Sequence, residues 1–157
     1  MKKKVLSLIG MIILINIISV TAINLEITSK SVSNSYLIEL NDPAVFDLII
    51  KNLDKSDSFQ IYSLVGINIT HEPFRINKDE TEIVRIYLTP QDYLRSNPQS
   101  YTFEYKIKNS KNEIKSKTLT ISIVSLNSAF SIDPTSINPK SEKINVNIKN
   151  NLMKNLK

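Results

Sequence analysis

Residues Tyr101 to Asn109 read YTFEYKIKN. Successive side chains of an extended strand point to opposite faces, so Tyr101, Phe103, Tyr105 and Ile107 share one face while Thr102, Glu104, Lys106 and Lys108 share the other. Alternation this regular predicts a strand with one buried side. The following SKNE (Ser110 to Glu113) predicts a hairpin turn. IKSKTLTISIV (Ile114 to Val124) then returns antiparallel, with Leu119, Ile121 and Ile123 alternating with Thr118, Thr120 and Ser122.

The same period recurs upstream of this hairpin. TEIVRIYLT (Thr81 to Thr89) places Val84, Ile86 and Leu88 inward and leaves Ile83, Arg85 and Tyr87 outward. SFQIYSLVG (Ser58 to Gly66) alternates Phe59 and Ile61 with Gln60 and Tyr62. AVFDLIIKN (Ala44 to Asn52) sets Phe46, Leu48 and Ile50 against Asp47 and Lys51, and NLDKSD closes it as a turn of locally bonding Asn, Asp and Ser. Shorter runs, NLEIT (Asn24 to Thr28) and YLIEL (Tyr36 to Leu40), precede the turn Asn41-Asp42-Pro43. INITHEPFRINKDE (Ile67 to Glu80) carries Pro73, which cannot donate to a ladder, and so predicts an edge strand or a crossing loop. PQDYLRSNPQS (Pro90 to Ser100) is expected to be a loop.

The sum is an all-β chain: an immunoglobulin-like antiparallel β-sandwich of about seven strands over residues 23–124. A closed barrel satisfies the same alternation. The chain has no cysteine and no tryptophan, so the disulfide pin of antibody domains is absent and an apolar core must hold the sandwich together.

Residues 1–22 are set apart from the fold. Lys2, Lys3 and Lys4 precede the uncharged run Val5 to Val20, and Val20-Thr21-Ala22 offers small residues at the positions a signal peptidase reads. A cleaved signal helix is expected, with an uncleaved membrane anchor as the alternative. Either places the rest of the chain outside the cytoplasmic membrane. The formal charge of +5, from 20 Lys+Arg against 15 Asp+Glu, includes those three lysines. The remaining body is close to neutral and shows no basic face of the kind nucleic acid requires. Two glycines in the whole chain argue against phosphate-cradling loops and dinucleotide folds.

Residues 125–157 raise the question of an internal repeat. KINVNIKNNLM (Lys143 to Met153) lies over VFDLIIKNLDK (Val45 to Lys55) so that Phe46 matches Ile144, Leu48 Val146, Ile50 Ile148, Lys51 Lys149 and Asn52 Asn150. Each copy follows a proline-bearing turn, Asn41-Asp42-Pro43 and Asn138-Pro139. A period of domain size is the mark of an array. Ser125 to Ser128 is then a linker, Ala129 to Ile132 a first strand and 144–149 a second strand of a further, truncated module.

The order of these segments, FDLIIKNLDKSDSFQIYSL, then FRINKDETEIVRIYLTP, then YTFEYKIKN and a threonine-rich last strand, resembles the immunoglobulin-like modules of archaeal and bacterial S-layer-like and adhesin-like surface proteins, the CARDB-like and NPCBM-associated type. In such modules the second strand ends in Asn, here Asn52. Asn77-Lys78-Asp79-Glu80 stands where the family has a Pro-Gly turn. The resemblance implies a spacer or adhesive module, with protein or glycan partners at the cell surface or neighbouring modules of the same kind, and contact with membrane only through an uncleaved N-terminal segment.

Catalytic chemistry has little to build on. His71 is the single histidine, and without cysteine it can complete neither a zinc set nor a thiol nucleophile pair. Asp79, Glu80 and Glu82 are carboxylates near a turn, yet KDETE lacks the spacing of a calcium loop. No catalytic residue, metal ligand or cofactor is therefore assigned. Two surface features are candidates. Asn68-Ile69-Thr70 is an N-x-Thr glycosylation acceptor, and Ile83, Arg85 and Tyr87 form an amphipathic, outward-facing interaction surface. The expected function is a non-catalytic exported spacer or adhesion module within a multi-domain envelope protein. Alternatives are an envelope or pilus assembly subunit that donates strand 144–149 to a neighbour, or the accessory domain of an exported hydrolase.

Overall fold

A computed structural model describes residues 23–134 and 146–152. Residues 1–22, where a signal helix is expected, lie outside the described residues, as do 135–145 and 153–157, and with them the first two residues of the strand expected at 144–149.

Nine strands form a two-layer sandwich: β1 (Leu25–Ser33), β2 (Ser35–Leu37), β3 (Ala44–Asn52), β4 (Asp57–Ser63), β5 (Ile67–Thr70), β6 (Phe74–Ile76), β7 (Thr81–Pro90), β8 (Ser100–Asn109) and β9 (Ile114–Val124). One sheet has the order β1-β3-β7-β5 and the other β2-β9-β8-β4-β6. The first sheet has the four-strand order of an immunoglobulin constant-type domain, and β4, β8 and β9 supply its three-strand partner. That is the expected seven-strand core, with β2 and β6 added at the two edges of the second sheet. Every pairing is antiparallel except β2 with β9, which run parallel with Tyr36 opposite Ile123.

The core is the alternation made solid. Phe46, Leu48 and Ile50 from β3, Val84, Ile86 and Leu88 from β7, Phe103, Tyr105 and Ile107 from β8, and Leu119, Ile121 and Ile123 from β9 are all buried in one cluster. Facing sheets about 10 Å apart leave room for these side chains to interdigitate and for nothing else. Pro73 marks a change of sheet: β5 pairs with β7 in one layer and β6 with β4 in the other. Both are edge strands, so the missing N–H breaks no ladder.

Several local expectations need correcting. The strand expected through Leu40 stops at Leu37, because the chain turns over 38–41, Asn41 adopts φ 50°, and Ile38 donates to the Val124 carbonyl at 3.0 Å. The loop 90–100 contains a helical turn, α1 (Asp92–Arg95), and the linker 125–128 is largely a second one, α2 (Leu126–Ala129). Single turns of four residues leave no periodicity to read. α1 closes one end of the sandwich. Arg95 donates from Nε to the Pro90 carbonyl at 2.8 Å and from Nη1 to Asn41 Oδ1 at 3.2 Å, while its guanidinium lies 5.2 Å from the centre of the Tyr36 ring.

Gly66 sits under this cap at φ +63°, where a Cβ would meet the Tyr93 hydroxyl at 2.0 Å and Leu94 Cδ1 at 2.9 Å. Gly66→Ala is expected to cost about 1–2 kcal/mol through the left-handed backbone alone. Adding Tyr93→Ala should recover only the steric part. A full recovery, seen in urea midpoints, would show that backbone strain contributes nothing.

Tyr105 is buried, and burial pushes its hydroxyl up to about 12. An unfolded tyrosine ionises near 10. Stability is therefore full below about pH 10 and falls as pH rises towards 12, because only the unfolded chain releases the proton in that window. The loss should be on the order of 2 kcal/mol. That share should be missing in Tyr105→Phe, leaving the share of Tyr36, whose hydroxyl burial also raises, as measured by unfolding midpoints at pH 9 and above. Equal alkaline loss in both proteins would assign the effect elsewhere.

Candidate interaction surface

β7 carries its inward residues into the core and its alternate residues onto the outer face of the four-stranded sheet. The register against β3 puts Ile83 beside Ile49, Arg85 beside Asp47 and Tyr87 beside Val45. On the far side of β3, Thr28 lies beside Ile49 and Lys30 beside Asp47. β5 extends the face at its other end, with Thr70 beside Tyr87 and Asn68 beside Thr89. The two features that the sequence offered separately, Asn68 and the trio Ile83, Arg85 and Tyr87, thus share one sheet face.

The centre of this face is a bidentate ion pair. Arg85 donates from Nε to Asp47 Oδ1 at 2.7 Å and from Nη2 to Oδ2 at 3.0 Å. The hydrogen bond from Arg85 holds the Asp47 carboxyl below its ordinary range, with the charges of Arg85 and Lys30 acting in the same direction against the opposing effect of desolvation. Reciprocally, that bond raises the Arg85 guanidinium. Apolar side chains lie on either side: Ile83 is 63% exposed, Tyr87 42% and Ile49 37%. A planar fork satisfied within the protein, between exposed aliphatic and aromatic groups, suits contact with another protein surface.

Because the Asp47 carboxyl is depressed in the folded state, its contribution is present above about pH 4 and is lost as pH falls through the folded value. Asp47→Asn should remove that part of the acid limb and change stability little at pH 7, since an exposed pair is screened by solvent. Identical acid limbs for the two proteins would contradict the assignment.

Asn68 lies at the edge of this face, and the remaining candidates fall elsewhere. Asn68 is exposed on the edge strand β5, close to Gln91, Asp92, Tyr93 and Arg95. His71 lies in the 71–73 connection, its ring edge-on to Phe74 at 5.3 Å and its Nδ1 against the Glu72 carbonyl. Asp79 and Glu80 form the turn into β7: Asp79, at φ 62°, donates its N–H to the Asn52 carbonyl at 2.7 Å, and Glu80 accepts from Asn77 Nδ2 at 2.8 Å. Among the described residues no group of three or more His, Cys, Asp or Glu is placed to hold a metal. Val45, Asp47 and Ile49 complete the face but were not singled out from the sequence. Alternation put Asp47 outward, whereas its pairing with Arg85 depends on strand register, which neither strand encodes alone.

No family model matches the chain, and neither does any curated protein. Among solved structures it is similar to a FixG-related protein from Vibrio parahaemolyticus, at 10% identity and a TM-score of 0.46 over 65% of this chain and 96% of that one. It is also similar to the periplasmic chaperone SfaE, at 10% identity and a TM-score of 0.36 over 64% of this chain and 56% of the chaperone. Among the described residues no helix is long and apolar enough to cross a membrane.

Proposed function

We propose that the chain is a non-catalytic, exported immunoglobulin-like module of a cell surface, a spacer or adhesion unit that meets a partner through the outer face of its four-stranded sheet. The observation that carries this reading is the face itself: Ile49, Ile83 and Tyr87 exposed around an Arg85–Asp47 pair that is already satisfied. The exposed aliphatic and aromatic side chains around a closed ion pair favour a protein partner, including a neighbouring module. The basic and apolar start of the chain and the resemblance to surface modules of archaea and bacteria support export.

Two measurements test the reading. Protease treatment of intact source cells should cleave the sandwich from the surface; recovery only from the cytosol overturns export. Labelled full chain should bind isolated envelopes, and Ile83→Asp with Tyr87→Asp should weaken that binding at least about tenfold with the unfolding midpoint unchanged. Undiminished binding by the double variant removes the face from the proposal.

A second reading has its own observation. The strand β11 (Val146–Asn150) pairs with β10 (Phe130–Pro134) in a sheet of its own, apart from both layers of the sandwich. As a donated strand in an envelope assembly it would drive discrete oligomers that disappear on deleting 129–157. A monomer with and without that segment excludes donation.

A further inference from the structure

The β10–β11 pair repeats, residue for residue, the pairing that opens the sandwich. In β1 and β3, Leu25 lies opposite Asn52, Glu26 opposite Lys51, Ile27 opposite Ile50, Thr28 opposite Ile49 and Ser29 opposite Leu48. In β10 and β11, Phe130 lies opposite Asn150, Ser131 opposite Lys149, Ile132 opposite Ile148, Asp133 opposite Asn147 and Pro134 opposite Val146. One shift takes Leu25 to Phe130 and another takes Asn52 to Asn150, and five consecutive pairs keep step. The repetition continues past the strands. Leu53 donates its N–H to the Asn24 carbonyl at 3.0 Å, and Asn151 donates to the Ala129 carbonyl at 2.8 Å. The Asn52 side-chain oxygen accepts from the Asp54 N–H at 3.0 Å, and that of Asn150 accepts from the Leu152 N–H at 2.9 Å. Keeping step is common to any bulge-free antiparallel pair; what the two share beyond it is the Ile–Ile pair at the centre, Ile27 with Ile50 and Ile132 with Ile148, and the Asx turn that follows the terminal Asn.

What differs is the covering. Ile50 is fully buried, whereas Ile148 is 65% exposed. In the sandwich β3 has β7 on its second edge, with Val84 opposite Leu48 and Ile86 opposite Phe46. Among the described residues β11 is paired with β10 alone. An open groove of about 520 Å³, lined by Leu126, Asn127, Phe130 and Ile148, lies against the pair.

We infer that β10 and β11 are the opening hairpin of a second immunoglobulin-like unit, and that the second edge of β11 receives an antiparallel strand of the β7 type, an extended segment with apolar residues at alternate positions. The occupant follows from the established β3–β7 interface, of which β11 carries one half. This inference is independent of the outer-face reading above, and either can fail without the other.

The test is the full chain extended after Lys157 by a flexible Gly/Ser linker and a second copy of TEIVRIYLTP, the β7 sequence, which raises its effective concentration to roughly millimolar. Hydrogen exchange of the Val146–Asn150 amides should slow at least about tenfold relative to the unextended chain. A control tail of the same composition with its apolar residues made contiguous should leave exchange unchanged, and Ile148→Asp should abolish the protection while β1–β9 exchange as before. Equal protection by both tails, or by neither, overturns the inference. So does strong protection of β11 in the unextended chain, whether it is monomeric, with its own residues covering the strand, or dimeric, with a second copy doing so.

Discussion

Ile50→Ala is expected to lower the stability of the sandwich by about 3–4 kcal/mol, while Ile148→Ala, at the matching place in the second hairpin, should change it by less than about 0.5 kcal/mol. The chemistry removed is the same in the two variants; the surroundings are not. Ile50 is fully buried two residues before the end of β3, with β1 and β7 on either side and the opposing sheet over its side chain. Truncation there forfeits the transfer energy of three carbons and leaves a void that two paired sheets cannot collapse. Ile148 is largely in water already, so its truncation removes little burial. Urea unfolding of both variants, with midpoints compared at unchanged m-value, decides the matter. Comparable losses would mean that the hairpin is as integral to the folded core as β3 is.

Asn52→Ala should cost about 3 kcal/mol, more than an average polar truncation, because it strips several buried partners at once. Asn52 is fully buried at the end of β3. Its Nδ2 donates to the carbonyls of Lys55 at 2.8 Å and Ile76 at 3.2 Å, and its Oδ1 accepts from the Asp54 N–H at 3.0 Å. One side chain thus shapes the β3–β4 turn and ties it to the end of β6. Its removal leaves the Ile76 carbonyl buried with one bond fewer, and the full desolvation cost of that group is felt. Asn52→Asp keeps the acceptor but replaces the donor with a carboxylate facing two carbonyls, so it should be no better tolerated. Asn109→Ala removes a similar turn at the end of β8, where Oδ1 accepts from Lys111 and Glu113; part of that turn is open to solvent, and about 1–2 kcal/mol is expected. If Asn52→Ala unfolds at the wild-type urea midpoint, the network is structural ornament and the turn is held by its backbone alone.

Much of this architecture was legible in the sequence, and the boundary of legibility is physical. Alternation in AVFDLIIKN, TEIVRIYLT, YTFEYKIKN and IKSKTLTISIV identified β3, β7, β8 and β9 and their inward residues, because each pattern is a property of one strand. Pro73 announced an edge strand or a crossing loop because a missing donor is a local fact; that the chain changes sheet there belongs to the pairing. Pairing is not local. The Arg85–Asp47 bond at the heart of the outer face joins residues on two strands, and alternation placed both outward without placing them together. The parallel run of β2 on β9 was hidden for the same reason, and YLIEL, which continues the apolar pattern past Leu37, misplaced the strand's end. The hairpin β10–β11 was half visible. INVNIKN resembles DLIIKN, but FSIDP and LEITS share little beyond a central isoleucine, so the repeat of β1 by β10 lies in register rather than in residues.

The parallel pairing of Ser35–Leu37 with Ser122–Val124 also sets how the sandwich bears tension. β2 stands near the start of the sandwich and β9 at its end. A pull that separates the two draws these strands in opposite directions along their own axes. The hydrogen bonds between them are then loaded together, in shear, whereas a hairpin pulled at its open end gives way one bond at a time. Three residue pairs beside a buried Tyr36 and Leu37 are therefore expected to resist such a pull as a unit, in series with the longer β1–β3 ladder that precedes them in the chain.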